Sequence, residues 1–426
     1  MKTIIKNIRA IFPNQNIDET LSIFIENGII QEISKGDLDY TVDKVIEGKE
    51  LILSPGLIDI HVHFRTPGQT HKEDIDSGAN AAANGGFTAV VCMPNTSPAI
   101  DNLLVYNYLR EASKNKQCDI YYSAAITKER KGLELTDMIS LADAGVLFFT
   151  DDGDPVESPG MMLNALQYAA TGDYMLSQHC EEKSLTKGFA IDECESSEKY
   201  GLKGYPKVAE ELIISRDIAL SFHAGNRRYH VQHLSSAGSV EIIRNAKAKG
   251  SRVSCEVAPH HFSLTNSFAN GLDSNLKMNP PLRSQSDIDA IIQGLKDDTI
   301  DLIATDHAPH SKDEKAQLFE LTPNGITGLE TSLGVTLTHL YHSGYLSLNK
   351  IIDKMSVCPR NLLKLDEIRL EKGQKANFTL FNPNSKWTVN LDNMKSKSQN
   401  SPYIGTELIG KPEYTILGNE IYKSIL

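Results

Sequence analysis

LIDIHVHF, residues 57–64, is apolar at most positions and ends in two histidines separated by one residue. A nearly uninterrupted apolar run of this length suits a strand buried on both faces of a parallel sheet. Working outward from it, similar runs recur at 87–93 (FTAVVCM), 119–126 (DIYYSAAI), 146–150 (VLFFT), 174–179 (YMLSQH), 229–234 (YHVQHL), 252–258 (RVSCEVA) and 301–306 (DLIATD). Between them lie segments with helical spacing at 73–84, 101–115, 133–144, 159–171, 206–224, 236–249 and 285–297. Gly85-Gly86 stops the first of these, and Pro206 with acidic residues in the following turn opens the fifth. Strand–helix units in such a series predict an α/β chain closed into a (β/α)8, TIM-like barrel. An open doubly wound sheet competes with this reading. It usually carries a glycine fingerprint after its first strand, and HVHFRTPG (residues 61–68) is not one.

The two ends read differently. LSIFIENGIIQEI (21–33), ANFTLFNP (376–383) and EYTILGNEIY (413–422) are short β-like runs with Gly, Asn and Pro turns. The expected organisation is a small composite β-sandwich from residues 1–53 plus 371–426, flanking a barrel over residues 54–370. The N-terminal MKTIIKNIRAIFPNQ is broken by charges and reads as a strand rather than a leader. The chain has 426 residues, 40% hydrophobic and 23% charged, and a net charge of −12. That balance argues against nucleic acid as a partner. No apolar stretch approaches the roughly 18 residues of a membrane span. Six scattered cysteines (92, 118, 180, 194, 255 and 358) with no CxxC read as reduced thiols of a cytoplasmic protein.

In a (β/α)8 barrel the chemistry sits at the C-terminal ends of the strands. His61 and His63 end the first strand, where alternation puts both on one face. The fourth strand ends in Asp151-Asp152-Gly153, the fifth in His179 and the sixth in His233. The eighth ends in Asp306, with His307 and His310 just beyond. Taken singly, each histidine is better read as a packed or surface residue. Four histidines and two aspartates arriving at one rim from five strands point instead to a metal site. Imidazole and carboxylate without thiolate suit Zn²⁺, with Mn²⁺ or Co²⁺ as substitutes, at one or two ions per subunit. Adjacent residues on a strand cannot both face inward, so only one of Asp151 and Asp152 belongs to the set.

Pro55-Gly56-Leu57-Ile58-Asp59-Ile60-His61-Val62-His63-Phe64-Arg65 resembles the opening motif of the amidohydrolase superfamily. The blocks GGFT (85–88) with MPNT (93–96), TDDG (150–153), EVAPHH (256–261), KMNPPLR (277–283) and ATDHAPH (304–310) resemble the dihydroorotases, in the bacterial class with an extended barrel. The resemblance spans essentially the whole chain. It implies His61, His63, His179 and His233 as metal ligands, and Asp306 as both ligand and proton shuttle. It implies Asp152 as the bridging carboxylate, because its 27-residue spacing to His179 fits the family pattern. Arg65, Asn95 and His310 would hold a substrate carboxylate. Asn279 and the Asn324-Gly325 backbone would hold ring amides. Plain turn chemistry competes for Asn95 and Asn279, a rim ion pair for Arg65, and a structural role is expected of His260 and His261.

The implied reaction is the reversible, metal-dependent cyclisation of N-carbamoyl-L-aspartate to L-dihydroorotate, a step of pyrimidine (UMP) biosynthesis. A sister cyclic amidase (hydantoinase, dihydropyrimidinase or allantoinase) would carry a carboxylated lysine where this chain has Thr150-Asp151-Asp152-Gly153. An inactive scaffold of aspartate transcarbamoylase would have lost ligands that this chain keeps. A homodimer is expected on general grounds, association with that transcarbamoylase is compatible with activity, and 307–325 reads as a mobile lid.

Overall fold

The structure is a computed structural model that describes residues 1–426, the side chains of residues 269 and 270 excepted. Five strands open the chain: β1 (Lys2–Phe12), β2 (Ile17–Glu26), β3 (Ile29–Ser34), β4 (Lys44–Glu47) and β5 (Ile52–Pro55). The barrel follows with β6 (Leu57–Val62), β7 (Phe87–Cys92), β8 (Asp119–Tyr122), β9 (Phe149–Thr150) and β10 (Leu176–Gln178). A small parallel pair, β11 (Ile191–Asp192) and β12 (Gly204–Tyr205), interrupts it. Then come β13 (Tyr229–Val231), β14 (Val253–Val257) and β15 (Leu302–Ile303). The last strands are β16 (Asn377–Thr388), β17 (Glu407–Leu417) and β18 (Glu420–Lys423).

The barrel strands pair in parallel as β6-β7-β8 and as β9-β10-β13-β14-β15. Parallel bridges Ala124↔Phe149 and Val62↔His307 join the two arcs into a ring. Closure is tight at the second seam: His63 N–H donates to His307 O at 2.9 Å, and Asp59 Oδ1 accepts from both His61 N and Thr305 N at 3.1 Å. The expected barrel is therefore present, with each strand inside the predicted run. It matches a fold in which a β-sandwich flanks the barrel.

Sequence-encoded caps start the helices between the strands. Asp74 caps Ile75–Asn84 through a capping box with Ser77, Asn102 caps Leu103–Ala112, and Ser158 with Pro159 opens Pro159–Ala169. Seven helical segments were expected. The eighth is split into short pieces, Ser332–Thr336 and Leu337–Tyr341, then Leu348–Ile352 through Cys358–Leu362. Gly344, at φ +75°, lies in the break between them. Strand alternation separates two apolar sets. Ile58 and Ile60 pack with Ala89, Val91 and Leu302, while Leu57 joins the larger cluster that carries the helices, as does Val62 beyond the register shift between Asp59 and Val62.

The terminal strands form one eight-stranded sheet in the order β18-β17-β16-β5-β1-β2-β3, with β4 on β1. Its apolar core includes Ile5, Ile8, Phe12, Phe378, Leu380 and Ile416. Trp387 is packing, as its indole N–H donates to Gly410 O at 2.9 Å. Not all of the C-terminal stretch stays with this sheet. Between β16 and β17 the chain runs back to the barrel mouth, where Ser396 donates to Glu73 Oε2 and Ser398 donates to Lys72 O at 2.7 Å. All six cysteines are free thiols. No helix among the described residues is long and apolar enough to cross a membrane.

Candidate metal centre and its pocket

At the C-terminal rim, local backbone geometry aims the side chains. Arg65, His233 and Asp306 all sit in the left-handed region, at φ 55°, 30° and 50°. Non-glycine residues hold that conformation only where the surroundings over-determine it, and such positions gather at functional sites.

The six predicted ligand residues converge. His63 Nε2 lies 3.1 Å from Asp306 Oδ1 and 3.6 Å from Asp152 Oδ2. His61 Nε2 lies 3.4 Å from Asp152 Oδ1 and 3.5 Å from Asp306 Oδ1. His179 Nδ1 and His233 Nε2 approach to 2.8 Å. Two subsets bring their ligand atoms within 4.8 Å of one another: His61, His63 and Asp306, and His61, Asp152 and His233. Asp152 is the member of the aspartate pair that faces this cluster. Asp151 turns away to accept from Thr127 N at 3.0 Å. Burial alone would raise the carboxyls of Asp152 and Asp306. The surrounding imidazoles, His61 foremost, outweigh it and hold Asp152 well below the usual range and Asp306 below it.

These groups fit a divalent cation. His61 Nε2 is buried with no hydrogen-bond partner, although both neighbouring carboxylates lie within 3.5 Å. The far nitrogens are occupied in a way that turns the ligand nitrogens inward. His61 Nδ1 meets Glu256 Oε1 at 2.5 Å, His63 Nδ1 meets Asn95 Oδ1 at 2.9 Å, and His179 Nε2 meets Glu181 Oε2 at 2.9 Å. An acceptor at one ring nitrogen fixes the proton there and leaves a lone pair at the other.

A cavity of about 270 Å³ opens directly on the cluster. Every predicted substrate contact lines it: Arg65, Asn95, Asn279, His310, Asn324 and Gly325. Arg65 is buried, its Nε donates to Pro309 O at 3.2 Å, and its Nη2 lies 3.4 Å from His310 Nε2. Burial lowers its pKa to about 10, so the guanidinium stays charged at neutral pH. Asn95 is not a plain turn residue, because its Nδ2 donates to Asp152 Oδ2 at 3.1 Å while its Oδ1 holds His63. Asn279 Oδ1 and Asn324 Oδ1 are buried without partners. The Gly325 N–H is committed to Lys277 O at 3.0 Å, so at Gly325 the backbone offers its carbonyl rather than its donor. Two further residues keep to structural work. His307 Nδ1 accepts from Gly328 N at 3.1 Å, and His261 Nε2 donates to Pro280 O at 3.1 Å.

Sequence reading missed three contributors. Glu256 holds His61 and also His230, at 3.1 Å. Its signal was present, since a carboxylate inside an apolar strand needs a buried partner. Glu181 contacts His179 and accepts from Asn279 Nδ2 at 2.9 Å, and burial notwithstanding, His179 lowers its carboxyl to about 2. Asn400 has no local signal. It arrives from the C-terminal stretch, and its Nδ2 donates to Ala308 O and Gly325 O, each at 3.0 Å.

The dihydro-orotase-like family model matches residues 49–239. A dihydroorotase of Clostridioides difficile (strain 630) is 45% identical over 418 residues, covering 98% of this chain and 99% of that protein. A dihydroorotase of Geobacter metallireducens is 44% identical over 422 residues, covering 99% of each. Among solved structures, the L-hydantoinase (dihydropyrimidinase) of Arthrobacter aurescens superposes with a TM-score of 0.86 at 23% identity, over 99% of this chain and 96% of that one. The dihydropyrimidinase of Brevibacillus agri NCHU1002 gives 0.84 at 21% identity, over 100% and 95%. At these identities the structural likeness speaks for the fold alone.

Proposed function

This chain belongs to the dihydroorotase family, and we propose that the cluster and its cavity carry out that family's reaction. The chain is a cyclic amide hydrolase. The reaction is the reversible interconversion of N-carbamoyl-L-aspartate and L-dihydroorotate, which in pyrimidine biosynthesis runs toward ring closure. The observation that carries this reading is a cationic side chain in the same small cavity as the ligand cluster: Arg65 shares it with His63, Asp152, His179, His233 and Asp306.

His61, His63, His179, His233, Asp152 and Asp306 would hold one or two metal ions, Asp152 offering a carboxylate oxygen to the His61–His233 group. Zinc is the proposed ion, and Mn²⁺ or Co²⁺ the substitutes. A bound divalent cation supplies Lewis acidity, polarising a carbonyl oxygen and easing deprotonation of water. Asp306, ionised and beside His63, accepts a proton from the attacking water and returns it to the leaving ring nitrogen. Arg65 pairs with the substrate carboxylate, with His310 at its edge and Asn95 opposite. The Asn279 side chain and the Asn324-Gly325 carbonyls orient the ring amides; a carbonyl already accepting one bond keeps a second lone pair. Ring opening creates a carboxylate and releases a proton, so acid favours closure and alkali favours opening.

Around this core we propose the two-part organisation read from the sequence, a cytoplasmic homodimer, and an association with aspartate transcarbamoylase compatible with activity. The test is ring opening of L-dihydroorotate by purified protein, before and after chelation and zinc replacement, beside dihydrouracil, hydantoin and allantoin. Chelator-sensitive turnover of dihydroorotate is expected, with the neutral rings opened far more slowly. Turnover of an uncharged ring in its place would move the assignment to the sister amidases.

A further inference from the structure

Beside the cavity, two buried lysines reach across from facing loops. Lys277 is 3% exposed and Lys315 is 7% exposed. No carboxylate lies within ion-pair distance of either among the described residues. Instead, Lys277 Nζ donates to Phe319 O at 2.7 Å, Glu320 O at 2.9 Å and Thr322 O at 2.8 Å. Its ammonium also sits 5.4 Å from the Phe319 ring centre. Lys315 Nζ donates the other way, to Ser274 O at 2.8 Å and Lys277 O at 3.4 Å, and to Pro323 O at 2.9 Å in its own loop. Each ammonium has three donors and each meets three carbonyls.

We propose that Lys277 and Lys315 are positioning residues that lock the loop bearing Asn279 to the loop bearing Asn324 and Gly325. They thereby set the width of the subsite for the ring amides. The geometry argues for this in three ways. The two grips are reciprocal, so neither loop can shift without breaking donors held by the other. The Gly325 N–H bond to Lys277 O ties the far end of the same frame. And an ammonium buried without a counter-ion is costly, so its retention at this place needs a return in order rather than in stability. Within the segment 307–325, read from the sequence as a mobile lid, the pair makes ties at Lys315, Phe319, Glu320, Thr322 and Pro323.

The inference rests on Asn279 and Asn324-Gly325 being substrate contacts, and its test separates the two ideas. Lys277→Met and Lys315→Met keep the stems and remove the donors. With the metal-loaded enzyme, each should raise KM for L-dihydroorotate about 10-fold while kcat moves much less, as when binding shared by ground and transition states is weakened. Bound zinc should be unchanged. Amide exchange should quicken in 274–279 and 319–325 and stay as it was in the barrel strands. Lys277→Arg, which keeps the charge but cannot aim three donors at one focus, should fall between and serves if the methionine variant does not fold. Unchanged KM in the variants, or exchange that quickens throughout the barrel, would overturn the proposal. If wild-type protein failed to open dihydroorotate, the functional reading would fall, while the exchange measurement would still decide whether the lysines lock the loops.

Discussion

Replacing Arg65 with methionine should separate recognition of the carboxylate from chemistry on the ring. Arg65 is 9% exposed, so its interaction with an anion is poorly screened by water. A charge-assisted hydrogen bond is worth about 1.5–3 kcal/mol, and a bidentate pair contains two. Because the cavity still opens to solvent, the lower part of that range applies. The expected loss is about 3–4 kcal/mol, or roughly 10²–10³-fold in kcat/KM for L-dihydroorotate. Methionine also leaves Pro309 O without its 3.2 Å donor, a cost that acts on stability and not on substrate choice. The assay is steady-state ring opening of L-dihydroorotate beside its methyl ester and 5,6-dihydrouracil, which lack the charge. The variant should lose most of its rate on dihydroorotate and little on the neutral rings. An equal fall on all three would refute the clamp and make Arg65 a structural residue of the rim. Unimpaired turnover of dihydroorotate would refute it more directly.

Three other outcomes are expected. Asp306→Asn should lower kcat by about 10²–10⁴-fold with the circular dichroism of the native protein, the range for loss of a positioned acid–base group; near-normal turnover would end its assignment as proton carrier. Glu256→Gln should weaken zinc binding about 10–100-fold in competition with a chromogenic chelator, because His61 loses the carboxylate that fixes its tautomer. Burial pushes the Glu330 carboxyl up to about 7 from 4.5, so the folded protein holds a proton that the unfolded chain releases. Its contribution is therefore complete below pH 4.5 and lost as pH rises through 7, and Glu330→Gln should show a smaller drop in urea midpoint between pH 5 and pH 8 than wild type does.

The barrel was legible because its strands are buried on both faces and flanked by capped helices. Each expected run contains a strand, from Leu57–Val62 to Leu302–Ile303. The broken eighth helix was not legible. Its pieces, from Ser332 to Leu362, are too short to show a clear period around Gly344. The candidate cluster was legible for a related reason: a parallel barrel delivers strand ends to one rim, so the convergence of His61, His179, His233 and Asp306 could be read from register alone. The choice between Asp151 and Asp152 could not be made from alternation, which says only that one of them points inward. What escaped reading is the layer behind the ligands. Glu256 acts on His61 from 195 residues away, a pairing known only once β14 stands in the ring, while Glu181 reaches His179, two residues before it, through the turn that follows β10, which alternation along a strand does not reveal.

Asn400 has a consequence for how the molecule comes into being. It joins Ala308, His310 and Gly325, accepting from His310 N at 3.1 Å, from a position 75 or more residues downstream of all three. The ligand residues end at Asp306, well before Asn400 is made. On a translating ribosome the pocket would therefore acquire its proposed metal-binding side chains before the seam that frames its mouth. Asn400→Ala in the full chain should bind zinc as wild type does yet turn over poorly, and full turnover would show that Asn400 is not needed to complete the mouth.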